Sequence, residues 1–264
     1  EMSMQKLVST ETLVTGGAPV AMDLAKPQTA LGFYRDAFVL AFPTLAPNAP
    51  RIADWQSKAN FRYRAAGQLA LPPDAPAAAI IDPGKVIDLT SRLKGDRLEW
   101  DAPAGQWTVL RIGHTSTGKL NVAASAAGRG LEIDKFSAAA TEFHFQHVVD
   151  RVIADTRAAG TKGLSSVIID SYEAGMQNWT PGFPDEFRRR VGYQLTPYLP
   201  ALFGYFVGNA GLSERFLFDF RRVQADLMAE NYYGRMHRLV NERGLRFYVE
   251  GYGAGVFDEL KVSG

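Results

Sequence analysis

The chain has 264 residues, enough for one large or two medium domains that bury roughly 70–75% of their surface on folding. Apolar residues at 46% and charged residues at 22% exclude wholesale disorder, and 29 basic against 28 acidic residues leave a net charge of +1, with no run of like charges to serve as a footprint for nucleic acid. There is no cysteine, which excludes disulfides, thiolate metal sites and cysteine nucleophiles, and no apolar stretch approaches the roughly 18–20 residues that span a bilayer. Glu1 to Lys6 has no signal-peptide core, and Leu260 to Gly264 stops abruptly after a helical pattern. The expectation is a fragment of a longer chain.

Residues 1 to about 125 read as β structure. Phe33 to Phe42 is aromatic and branched and stops at Pro43; Asn60–Tyr63, Ala78–Ile81 and Val86–Leu89 are short apolar runs bordered by turn residues. Leu71 to Ala79 is an Ala/Pro-rich loop. Leu98–Trp100, a turn at Pro103-Ala104-Gly105 and Trp107–Gly113 have the alternation of a hairpin. After about Ser125 the period becomes helical. Ser137 caps a predicted helix running to Gly160, with Phe143, His147, Val148, Val152 and Ile153 as its apolar face. Val167-Ile168-Ile169 is a buried strand ending at Asp170. Pro184 starts a helix that Gly192 closes, and the three arginines Arg188 to Arg190 beside Asp185 and Glu186 form a solvated face. Ser213 caps a helix of about 30 residues ending at Gly244, and Leu245 to Val249 is a second buried strand, ending at Glu250. The fold class is therefore mixed: a β-sandwich or jelly-roll-like region over 1–125, then an incomplete (β/α) TIM-type barrel over 126–264.

Leu131–Asp134, Val167–Asp170 and Tyr248–Glu250 each end an apolar run on an acid. In a (β/α) barrel such ends converge on one mouth, where catalysis sits. Asp170 to Thr180 adds Glu173, an amide pair and two aromatic rings. Glycosidic cleavage needs a protonated acid near the leaving oxygen and an ionised carboxylate. Glu173 and Asp170 are the catalytic candidates, a crowded pair in which one proton is kept near neutrality. Glu250, Asp134 and Asn178 with the rings of Tyr172, Trp179 and Tyr252 are the candidate sugar contacts. The plain alternative makes Tyr172 and Trp179 core aromatics and Asp170 a turn cap. His144 and His147 read as packing or surface residues rather than a metal pair, and His114 as a strand-end residue or a ligand contact.

At these residues the chain resembles glycoside hydrolase family 106, the α-L-rhamnosidases. The resemblance runs through Val14–Gly17, Gly32–Asp36, Gly113–Gly118 and Gly130–Lys135. It is most specific at Asp170–Glu173 with Gln177–Thr180, at Phe216–Arg222 and at Glu250–Gly253. It implies a large periplasmic or secreted enzyme that releases L-rhamnose from glycosides and plant pectic polysaccharides, by inversion and with calcium. Carried over by position, Glu173 is the general acid, Asp170 its supporting carboxylate or a contributor to the calcium and sugar site, and Glu250 a pocket residue. The general base falls on the next strand segment, past Gly264, so that this chain is expected to be an incomplete enzyme. Calcium would take its oxygens from Asp134, Asp170, Glu173 and Glu250. The expected partner is a carbohydrate, with no nucleic acid and no membrane. Two other readings stay open: a different barrel glycosidase using Glu173 and Glu250 as its pair, and a non-catalytic carbohydrate-binding module.

Overall fold

Branched and aromatic residues at alternate positions make Arg35–Pro43 a strand whose two faces both find partners, and the β structure is built around it. In the computed structural model, which describes residues 2–60, 75–121, 124–161 and 163–250, a four-stranded antiparallel sheet runs in the order β1 (Gln5–Gly16), β8 (Gly105–Ser116), β3 (Arg35–Pro43), β5 (Ile87–Asp88). A second sheet has the order β2 (Pro19–Asp23), β7 (Arg97–Asp101), β6 (Leu93–Lys94). Val14, Val39, Ala41, Leu98, Trp107 and Val109 meet between the two sheets. The expected hairpin between Leu98–Trp100 and Trp107–Gly113 does not form. β7 pairs with β2 and β6, while β8 pairs with β1 and β3, so the turn at Pro103–Gly105 carries the chain from one sheet to the other.

The opposite face of the large sheet packs against helices. Leu40, Phe42, Leu110 and Ile112 share one core with Phe183 and Phe187 of α4 (Phe183–Val191), and with Phe216, Phe220 and Leu227 of α5 (Ala210–Met228). A short parallel pair, β4 (Ile80–Ile81) with β10 (Phe206–Val207), and a one-turn helix, α1 (Trp55–Lys58), tie the two regions further. Gly113 marks a tight approach, since a Cβ there would lie 2.4 Å from the Tyr34 ring and 2.5 Å from the Arg35 carbonyl oxygen.

Ser137 caps α2 (Ala138–His144) as expected, accepting from the Ala140 N–H. A π-turn over Phe145–Val149 then leads into α3 (Asp150–Ala158). The buried face differs from the expected one: Ala140, Thr141, Phe145 and Ile153 face inward, and Phe143, Val148 and Val152 are about half exposed. The extra residue of the π-turn rotates the 3.6-residue stripe away from where a regular helix puts it. The second long helix is capped by Asn209, whose Oδ1 accepts from Leu212 N–H at 2.8 Å. Ser213, the expected cap, lies inside the first turn. A π-turn at Ala229–Tyr233 joins α5 to α6 (Gly234–Asn241). Pro184 and Gly192 bound α4 as expected, but Arg190 is not on a solvated face: it is largely buried and pairs with Glu186, Asp226 and Glu230.

β9 (Ser166–Ile169) and β11 (Arg246–Val249) form the expected parallel strand pair. Leu131–Asp134 is no strand of that sheet; it makes single antiparallel bridges through Ile133 to Ser3 and through Leu131 to Leu120. Apart from Asn60, the Asn60–Tyr63 run lies outside the described residues, as do residues 71–74 of the Leu71–Ala79 loop and Gly251–Gly255. No helix among the described residues is long and apolar enough to cross a membrane.

Candidate active site

The register of the parallel pair sets Ile169 against Val249, and the Glu250 N–H donates to the Ile169 carbonyl at 2.9 Å. Asp170 and Glu250 therefore leave neighbouring strand ends side by side. The Ser171 N–H donates to the Asp170 carboxylate at 2.7 Å, and this bond, with a further one from Glu250, holds Asp170 below the usual carboxylate range. The Ser171 hydroxyl donates to Glu173 Oε1 at 3.4 Å, so one serine braces both acids. Asp170 thus bonds to Glu250 at the strand ends, and its pKa is lowered.

Asp170 and Glu173 line a cavity of about 350 Å³, whose other wall carries Glu132, Lys135, His144 and Tyr232. Lys135 is 4% exposed in its side chain and donates to Glu132 Oε2 at 2.6 Å. Its ammonium lies 5.8 Å from the centre of the Tyr172 ring and 5.4 Å from that of Tyr232. Burial pushes the Lys135 pKa down and the Glu132 carboxylate opposes the shift. Burial likewise lowers His144. Both π-turns deliver residues to this wall, Val149 from the first and Tyr232 and Tyr233 from the second. π-turns re-aim side chains that a regular helix would place elsewhere, and they recur at functional sites.

Three of the six expected sugar contacts, Asp134, Trp179 and Asn178, lie away from this cavity. Asp134 is 2% exposed and does not line this cavity; its carboxylate accepts from the Gln177 amide, the Thr180 hydroxyl and the Phe136 N–H. Burial raises its pKa, and the hydrogen bonds oppose the rise. The acid that this segment turns to the cavity is Glu132. Trp179 is a core residue, stacked on Phe183 and edge-on to Phe38. Asn178 accepts the Leu7 N–H at 2.8 Å and lines a different cavity, beside β1. Tyr172 stays at the site as a buried wall, its hydroxyl donating to the Gly175 carbonyl. Tyr252 lies outside the described residues. His114 is a buried residue of β8 whose Nδ1–H donates to Gln5 Oε1, and His147 donates to the Phe143 carbonyl on the exposed face of its helix. Glu132 and Lys135 were missed because each, read alone, is an ordinary polar residue; their i, i+3 spacing beside a buried acid is the one local signal.

The family model described as alpha-L-rhamnosidase, glycoside hydrolase family 106, matches residues 40–263. The chain belongs to this family. A putative beta-glucuronidase of Formosa agariphila is 40% identical over 266 residues, which take in 99% of this chain and 22% of that protein. A rhamnosidase from Novosphingobium sp. PP1Y has a similar fold, with a TM-score of 0.77 at 24% identity over 94% of this chain and 37% of its own. This family 106 chain thus spans about a fifth of the curated relative's length. Several segments that carried the resemblance are structural. Asp36 accepts two hydrogen bonds from Arg111, and Thr115 bonds to the Phe33 carbonyl. Asp170-Ser171-Tyr172-Glu173 lies at the cavity.

Proposed function

We propose that this chain supplies an accessory β region and the opening βα units of a (β/α)8 catalytic barrel in an inverting α-L-rhamnosidase. The observation that carries the reading is the emergence of Asp170 and Glu250 side by side from parallel strand ends, with Glu173 at the same cavity. Glu173 donates its proton to the glycosidic oxygen as the C1–O bond breaks. A water on the opposite face of the ring attacks C1 and gives its proton to a second carboxylate. In an inverting enzyme that carboxylate stands roughly 6.5–9.5 Å from the acid, and the resemblance puts it on the next strand segment, past Gly264. Asp170, ionised and braced by Ser171 and Glu250, supports the acid and accepts substrate hydroxyls.

Charge supports a neutral sugar over a uronate. Among the described residues, Glu132, Asp170 and Glu173 face the cavity against one cation, Lys135, and the field repels a substrate carboxylate. Ile168, Val167 and Met236 add apolar surface suited to the methyl group of a 6-deoxy sugar. Calcium fits less well. The described residues hold no group of three or more metal-ligating side chains of the His, Cys, Asp or Glu type, so no step is routed through the ion. Secretion to the periplasm or the exterior accords with a polymeric substrate that meets the enzyme there.

The test is Glu173→Gln in the full-length protein. General acid catalysis contributes about 10²–10⁴-fold, so a loss of that order is expected on rhamnosides with poor leaving groups, and much less on an activated aryl rhamnoside. Equal loss on both, at unchanged melting temperature, moves the acid role away from Glu173. Faster turnover of an aryl β-D-glucuronide than of the rhamnoside overturns the substrate assignment. Repeating the assay and the melt after chelation decides calcium: no change in either removes it.

A further inference from the structure

Among the described residues, the Glu132–Lys135 pair is the one ion pair on the cavity wall with a buried member, and neither acid assigned to catalysis uses it. A buried ammonium costs several kcal/mol of desolvation unless paired, which is reason enough for Glu132 to be there. The pair is lopsided, however. Lys135 is 4% exposed in its side chain, whereas Glu132 keeps 18% and lines the cavity with Asp170 and Glu173. Glu132 is thus the end of the pair that keeps contact with the cavity. Lys135 also lies near the Tyr172 and Tyr232 rings, its ammonium 5.8 and 5.4 Å from their centres. What it does is fix Glu132 Oε2.

The backbone of Glu132 is held on both sides. Its N–H donates to the Lys119 carbonyl and its own carbonyl accepts from Met4 N–H, each at 2.9 Å. Asp134, two residues on, is locked by Gln177 and Thr180. A carboxylate so placed has one oxygen committed to the lysine, and the other, with no hydrogen-bond partner among the described residues, is left for a donor from the cavity. Hydroxyl groups are the donors it suits, since charge-assisted O–H···O⁻ bonds are short and about twice as strong as neutral ones. A ligand carboxylate in the same place would meet like charge.

We propose that Glu132, oriented by Lys135, is a substrate-binding carboxylate that accepts hydrogen bonds from hydroxyls of the neutral sugar whose glycosidic bond Glu173 protonates. The inference rests on the glycosidase reading above and adds to it a residue for the sugar subsite. Lys135 is a positioning residue that acts through Glu132.

The experiment compares the full-length protein with its Glu132→Gln and Lys135→Met variants. It reads KM and kcat on an aryl α-L-rhamnoside, inhibition by free L-rhamnose, and the melting temperature. For Glu132→Gln the loss is expected on KM and on the inhibition constant together, about tenfold or more in each, rather than on kcat, because a ground-state contact is removed. Lys135→Met should raise the same two constants. If it fails to fold, Glu132→Gln decides the matter alone. Unchanged KM and inhibition constant in Glu132→Gln, with or without a lower melting temperature, overturn the proposal in favour of a structural pair. Loss of kcat at an unchanged inhibition constant overturns it in favour of a catalytic role. Failure of the glycosidase reading is separately visible as a wild-type protein that does not turn over the rhamnoside. Calorimetric titration with L-rhamnose and D-glucuronate then decides: rhamnose binding that Glu132→Gln abolishes supports the inference, and absence of binding, or tighter binding of the uronate, overturns it.

Discussion

His114 shows how one buried residue makes stability depend on pH. It is 7% exposed, lies between the rings of Phe33 and Trp179, and bonds to Gln5. Burial, with help from the charge of Arg35, lowers its pKa to about 4. An unfolded histidine titrates near 6.5, so between pH 6.5 and 4 the unfolded chain takes up a proton that the folded one refuses. Stability contributed by the neutral ring is whole above that window and is lost as pH falls through it. The melting temperature should therefore fall between pH 6.5 and 4, and His114→Gln should flatten that part of the profile. An identical slope in the variant would assign the loss to other groups. The sequence showed His114 among glycines and threonines, types that serve loops as well as strands, and its burial between two rings is visible only in the tertiary structure. Glu173 stood out because Asp170, Ser171, Tyr172, Gln177 and Asn178 crowd polar and aromatic groups about it in the sequence. Glu132 was not, since its role depends on Lys135 and on helices about 100 residues away.

Helices were legible wherever a cap or a breaker wrote their ends. Pro184 and Gly192 bound α4, Ser137 starts α2, and Gly244 at φ +75° follows the end of α6. The exception is α5, where two capping types compete within five residues. Asn209 takes the cap, and Ser213 instead bonds through its hydroxyl to the backbone of Val207 and Asn209. Asn209→Ala should cost about 1 kcal/mol, the usual value of a cap. Ser213→Ala should cost at least as much, about 1–3 kcal/mol, because it strands the buried Val207 N–H. Denaturant melts of both variants check the order; a neutral Ser213→Ala would mean the Val207 N–H finds another partner. The π-turns were not legible. A single inserted residue leaves no composition signal, yet it moves Phe143, Val148 and Val152 outward and carries Val149 and Tyr232 to the cavity.

At the scale of the whole molecule, one apolar core joins the sheet to the helices. Phe42 of β3 and Phe220 of α5 are both fully buried in it, and the Ile52 N–H to Gly204 and Gly208 N–H to Ile81 bonds bind the same regions. Phe42→Ala and Phe220→Ala should each cost about 3–5 kcal/mol. Both should shift a single unfolding transition, seen at one midpoint by tryptophan fluorescence and by far-ultraviolet circular dichroism. Two separated midpoints would mean that the β region and the helical region unfold independently, and would refute this coupling.

Local order was written in the sequence by itself: the apolar runs Val167–Ile169 and Leu245–Val249 as strands, the helix between Pro184 and Gly192, and the polar segment after Asp170 that carries the family likeness; the burial expected of the two strands is not seen, with Ile168 61% and Tyr248 48% exposed. Each depends on a period, a cap or a fixed φ, which a few consecutive residues settle. Partner choice was left to the tertiary structure. Leu98–Trp100 and Trp107–Gly113 have the pattern of a hairpin, yet belong to two sheets, because a strand's alternation specifies which face is buried and not which strand lies beside it. The same holds for the site. Trp179 and Asp134 have the chemistry of sugar contacts and spend it in the core, while Asp170 pairs with Glu250 across 80 residues, since burial and proximity arise only when distant segments meet.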